Sequence, residues 1–427
     1  MQGKKVAFKT LGCRLNQFET DALASEFDRQ GFKIVEFNEK ADVYVINTCT
    51  VTNQSDHKSR NIIRQAERKK EDSILVVTGC MADHFKESLE NEQGINYLIQ
   101  NDQKSSLVSL VEAHYKGEII SPSSFEKDKF GFGIADKGFH TRAMIKIQDG
   151  CDNYCSFCIV PRVRGRAISR PFQDIKDNIR KVLDAGFKEI VLTGVNIGRY
   201  EHEGMNFEKL LEKLLKIPGD FRVRISSMEP DGFGDRFFEL FAHPKLTPHL
   251  HLCLQSGSEN ILLKMRRMYT VKTFMGMTER LKTLYPDFNL STDIIVGFPG
   301  ETEKDFEESC NVSKEIGFSH IHTFKYSVRN GTRAARMQDQ IPEKLKSERS
   351  EIIRQISSEN RISYFTKMLG KEQLMLTERS KKGSTKGYGQ NYIPIVLDHK
   401  HSRNEFVQTR LVEITDDKEP VIKGRVI

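Results

Sequence analysis

The sequence predicts an α/β chain in three parts: an N-terminal domain built on a parallel sheet, a partial (β/α)6 barrel, and a small C-terminal β-barrel. Three patterns predict it. Short β-rich runs alternate with charged helical stretches from residue 4 to about 120, a longer alternation of the same kind begins at 143, and the tail holds short β-rich pieces with no helix between them. At 427 residues and 38% hydrophobic content the chain is long enough to bury several cores.

In the first domain, residues 6–11, 42–47 and 74–78 are the expected strands. Residues 116–140 lose the pattern, mix Ser, Gly and Lys, and read as a linker or an ordered connecting strap. The next strands are expected at 143–148, 189–193, 222–226, 249–255, 289–296 and 320–326, each but the last followed by a helical stretch, which suits a partial barrel better than an open sheet. A polar helix over about 342–368 leads into four β-rich pieces at 372–377, 392–397, 406–414 and 421–427, with Lys and Arg prominent in RSKKGSTK (379–386) and a turn at Lys381-Lys382. The implied domains are 1–120, a linker at 121–140, 141–365 and 366–427.

The first ten residues, MQGKKVAFKT, read as a short strand rather than a secretory leader, and no later run approaches the ~18 consecutive apolar residues of a membrane span. A cytoplasmic protein with no membrane partner is expected. Lys and Arg exceed Asp and Glu by 66 to 59, an excess that permits a polyanionic partner and equally fits an ordinary solvated surface. Eight cysteines in a reducing compartment point to metal binding rather than to disulfides.

The strongest chemical signal is CDNYCSFC, which places Cys151, Cys155 and Cys158 in one loop just after the first barrel strand. Three close thiolates can grip three irons of a 4Fe-4S cluster and leave the fourth iron an open coordination position. Zinc is the rival, but a structural zinc site needs four protein ligands, and no further Cys or His occurs in the next forty residues. A second set is dispersed: Cys13, Cys49 and Cys80 each fall within a few residues of the carboxyl end of an expected parallel strand. Those ends share one rim, so residues far apart in sequence can meet there. One such cysteine alone would read as buried packing; three at equivalent positions read as a site. Cys253 and Cys310 have no such placement and read as core.

The motif CDNYCSFC resembles that of the radical S-adenosylmethionine (radical SAM) superfamily. In that superfamily the open iron binds the amino and carboxyl groups of SAM, whose reductive cleavage yields a 5'-deoxyadenosyl radical. The resemblance implies Cys151, Cys155 and Cys158 as cluster ligands, with Tyr154 and Phe157 either walling the cofactor or simply packing. The whole chain resembles the methylthiotransferase family, which joins an N-terminal domain with three dispersed cysteines to a radical SAM domain and a C-terminal RNA-binding barrel of the TRAM type. This implies two 4Fe-4S clusters, the first held by Cys13, Cys49 and Cys80, and two uses of SAM. The chemistry agrees, because an unactivated C–H bond offers no acidic proton and no leaving group for acid–base or nucleophilic catalysis.

Glycine-containing segments at barrel strand ends, TGVN (193–196), LQSGS (254–258) and DIIVGFPG (293–300), suggest a SAM pocket with Gly194, Asn196, Gln255, Ser256 and Asp293. The segments at 190–200, 222–230 and 248–252 resemble the branch that acts on N6-threonylcarbamoyladenosine at position 37 of tRNA. The isopentenyladenosine branch is the closest rival, and the branch modifying an aspartate of a ribosomal protein ranks third. Expected partners are therefore a tRNA anticodon stem-loop, an electron donor such as a flavodoxin-type protein, and a sulfur source. Arg162, Arg164, Arg166 and Arg170 are candidate phosphate contacts, against the plain alternative of a solvated basic turn, and Lys381, Lys382 and Lys386 form a second candidate surface. The reading from a different class is a non-catalytic RNA-binding or cluster-carrying protein, against which the intact CxxxCxxC motif and the full barrel argue.

Overall fold

The computed structural model describes residues 1–427 apart from 70–71, 93, 119, 136–139 and 382. Residues 1–185, 193–195 and 327–335 form one compact unit, and 186–192, 196–326 and 336–427 form a second. No helix among the described residues is long and apolar enough to cross a membrane.

The first unit holds a parallel five-stranded sheet of β1 (Lys5–Thr10), β2 (Lys33–Val35), β3 (Val43–Thr48), β4 (Ile74–Gly79) and β5 (Tyr97–Ile99), in the order β2-β1-β3-β4-β5. The central runs VYVINT and ILVVTG are buried at every residue, as a sheet covered on both faces requires. Ala7, Tyr44, Ile46, Leu75 and Val77 meet Ile63 and Ala66 of the helix Asn53–Lys69 in one core. The edge strands β2 and β5, three residues each, are too short to carry a strand signal in the sequence. Residues 120–135 are a strap: Gln103 Nε2 donates to the carbonyls of Pro122 and Phe125, and Lys129 reaches the Arg164 carbonyl. The strap leads to β6 (Ala143–Lys146), again buried throughout.

In the second unit β7 (Glu189–Thr193, all but its last residue in this unit) and β8 (Arg222–Ile225) are parallel, as are β9 (His249–Leu252), β10 (Asn289–Val296) and β11 (His320–Lys325). A two-residue strand, Ser227–Met228, carries the β8 chain on to β9. The set stays open. Helix Glu343–Met368 lies along β11, with Ser357 Oγ accepting from the Ile321 amide, so a helix rather than another strand covers that edge.

The C-terminal barrel closes in the order β12-β13-β14-β16-β15, from β12 (Glu372–Lys381), β13 (Ser384–Tyr388), β14 (Pro394–Leu397), β15 (Phe406–Ile414) and β16 (Ile422–Val426). Met375, Ile395, Leu397, Leu411 and Ile422 fill it, joined by Phe365 and Met368 of the long helix. The tail thus holds five strands, not four, and the basic run 379–386 spans the β12–β13 hairpin, with Lys381 paired to Ser384 where the two strands join. Gly387 masks β13 in the sequence, yet a Cβ there would lie 2.2 Å from the Leu376 carbonyl oxygen, so the close strand approach demands glycine.

This barrel is tied to β7 and β8 by buried charge. Glu189 accepts from Arg222 Nε at 2.6 Å and from Arg224 Nε at 2.8 Å, and Arg222 also donates to the carbonyls of Leu374 and Tyr388. The Arg224 guanidinium stacks 4.2 Å above the Tyr392 ring. Arg222→Ala strips the barrel of both carbonyl bonds and leaves Glu189 short of a partner, so denaturant unfolding should register a loss of about 3–5 kcal/mol. Limited proteolysis should then cut within 366–371, and an unchanged digestion pattern would contradict this tie.

Candidate functional site

The three dispersed cysteines sit where β1, β3 and β4 end. Cys13 caps the helix Arg14–Arg29, Cys49 directly follows β3, and Cys80 directly follows β4. Two glycines with left-handed backbone permit the convergence. A Cβ on Gly12 (φ +95°) would lie 2.8 Å from Cys49 Sγ, and one on Gly79 (φ +95°) would lie 2.4 Å from the Thr48 carbonyl oxygen. Asn16 Nδ2 then clips two of these ends together, donating to the carbonyls of Leu11 at 2.8 Å and Thr48 at 2.9 Å. Cys13 is exposed while Cys49 and Cys80 are buried, and none of the eight cysteines is in a disulfide. Burial pushes the Cys80 thiol up to about 12, Arg164 pulls the other way, and Cys13 and Cys49 lie near enough to raise it further.

The second triad follows β6. A Cβ on Gly150 (φ +71°) would lie 2.0 Å from the Arg166 carbonyl oxygen, so only glycine lets the loop pass. The Cys151 amide donates to the Gly165 carbonyl at 3.1 Å and the Cys158 amide to that of Cys155 at 3.0 Å, leaving all three thiols partly exposed. Tyr154 has a left-handed backbone and is half exposed, and Phe157 is half-buried. The two triads are neighbours within the first unit: Cys80 packs against Ile159 and Val163, one and five residues beyond Cys158. Asn101 Nδ2 bridges the same joint, reaching the Val163 carbonyl at 3.0 Å, Asp83 at 2.8 Å and Cys80 Sγ at 3.9 Å.

Behind this joint lies a buried ion group. Glu19 is paired with Lys104, with Lys146 at 3.0 Å and with Arg164 at 2.9 Å, while Asp149 pairs with Lys146 at 2.6 Å and Arg164 at 3.0 Å. Arg164 Nη2 also donates to Asn16 Oδ1 at 2.7 Å, so one guanidinium ties the Cys13 helix to the CDNYCSFC loop. Three fully buried cations face two carboxylates. The remaining positive charge stands beside Cys80, whose thiol both Arg164 and Lys104 act to acidify. That surplus and two sets of three thiols outside any disulfide fit a pair of anionic iron–sulfur clusters.

Several expected contacts fall differently. Arg164 is buried and committed to Glu19, Asp149 and Asn16, and so does not reach a surface where RNA phosphate could bind. Arg170 is buried too. Arg162 lies against Gly331, where a Cβ would meet its guanidinium at 2.5 Å, and Arg166 is exposed in a bidentate pair with Asp152. Lys386 is exposed on β13, Lys381 ends β12, and Lys382 lies outside the described residues.

Of the residues expected around SAM, Gly194 precedes Val195, whose amide donates to Gln148 Oε1 at 2.9 Å within the first unit. The rest are in the second unit. Asn196 is buried ahead of the turn Ile197–Arg199. Gln255, with φ +68°, exchanges backbone hydrogen bonds with Asp293 and Ile295. Ser256 is buried with its hydroxyl 3.2 Å from that of Ser309 on the helix Glu303–Ile316. Asp293 faces His251 and Cys253.

The sequence reading missed Glu19, Lys104, Lys146 and Asp149, because charged residues inside helical or strand patterns look like solvated faces. Burial would raise the Glu19 carboxyl, but Arg164, Lys104 and Lys146 outweigh it and hold it well below the usual carboxylate range. Its stabilisation is therefore complete above the unfolded value of about 4.3 and fades as pH falls toward the folded one. Glu19→Gln should cost about 3–5 kcal/mol at neutral pH, and its deficit relative to wild type should narrow in unfolding curves recorded below about pH 4. A deficit that stays constant through the acid range would rule out this role.

Residues 5–100 match the model of the Uncharacterized protein family UPF0004, and residues 145–312 match that of the Radical SAM superfamily. The chain is 38% identical to a threonylcarbamoyladenosine tRNA methylthiotransferase MtaB of Bacillus subtilis, over 92% of this chain and 90% of that one. It is 33% identical to the MtaB of Thermotoga maritima, over 96% and 93%. It is also 33% identical to a tRNA-2-methylthio-N(6)-dimethylallyladenosine synthase of Campylobacter jejuni, over 100% of both. Among solved structures, the radical S-adenosylmethionine methyltransferase TsrM of Kitasatospora setae shares the fold, with a TM-score of 0.56 at 15% identity over 78% of this chain and 77% of that one. With two thiol triads abutting in one unit and full-length identity well above chance, the chain belongs to the radical SAM methylthiotransferase family.

Proposed function

We propose that this enzyme attaches a methylthio group to C2 of N6-threonylcarbamoyladenosine at position 37 of tRNA, beside the anticodon. The observation that carries the reading is the joint between the two triads, where Cys80 packs on the turn that follows Cys158. Sulfur insertion at a C–H bond needs a hydrogen-abstracting centre and a sulfur-bearing centre next to each other. As in its family, the chain uses SAM and two 4Fe-4S clusters, which when bound supply the radical and carry the sulfur. In this proposal Cys151, Cys155 and Cys158 hold one cluster and Cys13, Cys49 and Cys80 the other. Asn16, Asn101 and Arg164 fix the spacing between the two loops.

Both adenosine modifications occur in the names of relatives of similar identity. The threonylcarbamoyl substrate is favoured by the segments at 190–200, 222–230 and 248–252 and by the 38% identity to the Bacillus subtilis protein. A flavodoxin-type electron donor and an external sulfur source complete the reaction. To test it, cluster-reconstituted enzyme is incubated anaerobically with SAM, reductant, sulfide and tRNA bearing either modified adenosine, and the digested nucleosides are weighed. A methylthio increment on threonylcarbamoyladenosine, abolished by Cys49→Ala or Cys155→Ala, is expected. An increment confined to isopentenyladenosine would overturn the substrate assignment.

For RNA contact, the exposed cations Arg166 and Lys386, together with Arg162, are the proposed phosphate ligands, and the buried Arg164 and Arg170 are not. Replacing Arg162 or Lys386 by Gln should weaken tRNA binding and flatten the slope of log K against log salt by about 0.7–0.9 per contact. An unchanged slope in both variants would remove them from the interface.

A further inference from the structure

Inside the second unit, strands β9, β10 and β11 turn one polar face to the same side. Parallel register pairs His249 with Asn289, His251 with Ser291, Ser291 with His320, and Asp293 with His322, so these side chains and that of Cys253 share the face. The alternate residues Leu250, Leu252, Leu254, Leu290 and Ile294 are apolar and buried on the other side. A row of imidazoles, a thiol and a carboxylate on a partly enclosed sheet face is an unusual composition for plain packing.

The geometry narrows to three residues. His251 Nδ1 lies 3.0 Å from Ser291 Oγ, and that oxygen lies 3.4 Å from His249 Nε2, so Ser291 can accept from His251 and donate to His249. This arrangement leaves a bare lone pair on His251 Nε2. That nitrogen is buried, sits 3.1 Å from Asp293 Oδ1, and is off the line of a hydrogen bond. Cys253 Sγ lies 3.7 Å from Asp293 Oδ2, and the three donor atoms all fall within 4.8 Å of one another. Two electron-rich atoms at that separation, out of water, need either a proton or a metal ion between them, and the third donor, Cys253, converging on the same point favours a metal ion.

We propose that His251, Cys253 and Asp293 form a binding site for one zinc-like divalent cation, separate from the six cluster cysteines, with Asp293 serving this site rather than SAM. Bonds of about 2.0–2.3 Å to nitrogen, oxygen and sulfur place tetrahedral ligand atoms roughly 3.3–3.7 Å apart; His251 Nε2 lies 3.1 Å from one Asp293 oxygen and Cys253 Sγ 3.7 Å from the other, so small side-chain rotations bring the set to that spacing. The donor set mixes imidazole, thiolate and carboxylate, which suits a borderline cation rather than calcium or magnesium. Charge closes as well: the cation's two positive charges meet one carboxylate and one thiolate, the Cys253 proton leaving to solvent. Ser291 supplies the outer hydrogen bond that fixes the His251 tautomer. Exposed His322 lies alongside, its ring centroid 5.3 Å from that of His251.

The test uses the anaerobically reconstituted, iron-loaded enzyme, equilibrated with one equivalent of Zn2+, desalted, and assayed for both metals by mass spectrometry. Wild type should retain about one zinc per chain, and zinc X-ray absorption should show a single sulfur at about 2.3 Å among nitrogen and oxygen ligands. The double variant H251Q/D293N should retain at least about tenfold less zinc with iron unchanged. If that variant also loses iron, Cys253→Ala decides, because it should keep its iron and lose only the zinc–sulfur scattering. Zinc not retained by wild type, retained equally by the variants, or bound by three or four sulfurs would overturn the site. None of these readouts depends on methylthiotransferase activity, so this inference and the proposed function fail separately.

Discussion

The pairing of Glu19 with Arg164 is the constraint on which the arrangement of the first unit rests. Both side chains are buried, and taking either from water costs several kcal/mol that only a well-placed partner returns. Glu19 comes from the helix that starts at Cys13, Arg164 from the segment after Cys158, Lys104 from the turn after β5, and Lys146 from β6. Through Glu19, one buried carboxylate thus joins four elements of the first unit. A buried ion group of this kind is weak evidence for net stability and stronger evidence for a unique geometry.

That geometry decides what the thiols can do. Three strand ends would converge on one rim in any parallel sheet, but the distance from that rim to the CDNYCSFC loop is set by Arg164, Asn16 and Asn101. The ion group also carries a charge surplus, and it stands beside Cys80, where an anionic cluster would neutralise it. Positioning and electrostatics therefore come from the same side chains. The glycines at 12, 79 and 150 serve the same end, since a side chain at any of them would strike the atoms that must approach.

In the second unit a comparable device appears at the other chemical extreme. Glu189 holds Arg222 and Arg224, and Arg222 in turn anchors the C-terminal barrel through two main-chain carbonyls. The polar face of β9, β10 and β11 is a different matter, because its imidazoles, thiol and carboxylate are arranged as donors converging on a point rather than as balanced ion pairs. Closed barrel, open parallel set and polar face are thus held by distinct interactions within one unit.

The sequence by itself determined the fold class, placed most of the long strands to within one or two residues while missing the ends of β9 by three and of β12 by four, and singled out the six cysteines, because alternation and ligand spacing are local patterns that survive in one dimension. The short edge strands β2 and β5 left no such trace, and Gly387 disguised β13 because strand propensity cannot register a close backbone approach. Arg164 and Arg170 read as surface charge from their neighbours, while burial and partners reside in contacts spanning up to 148 residues for Arg164 with Asn16. Only the tertiary structure decided that this arginine joins two cysteine loops, and that His251, Cys253 and Asp293 face one another across two strands. Local chemistry shows in the chain, but the pairing of buried charges depends on distances that exist only once it has folded.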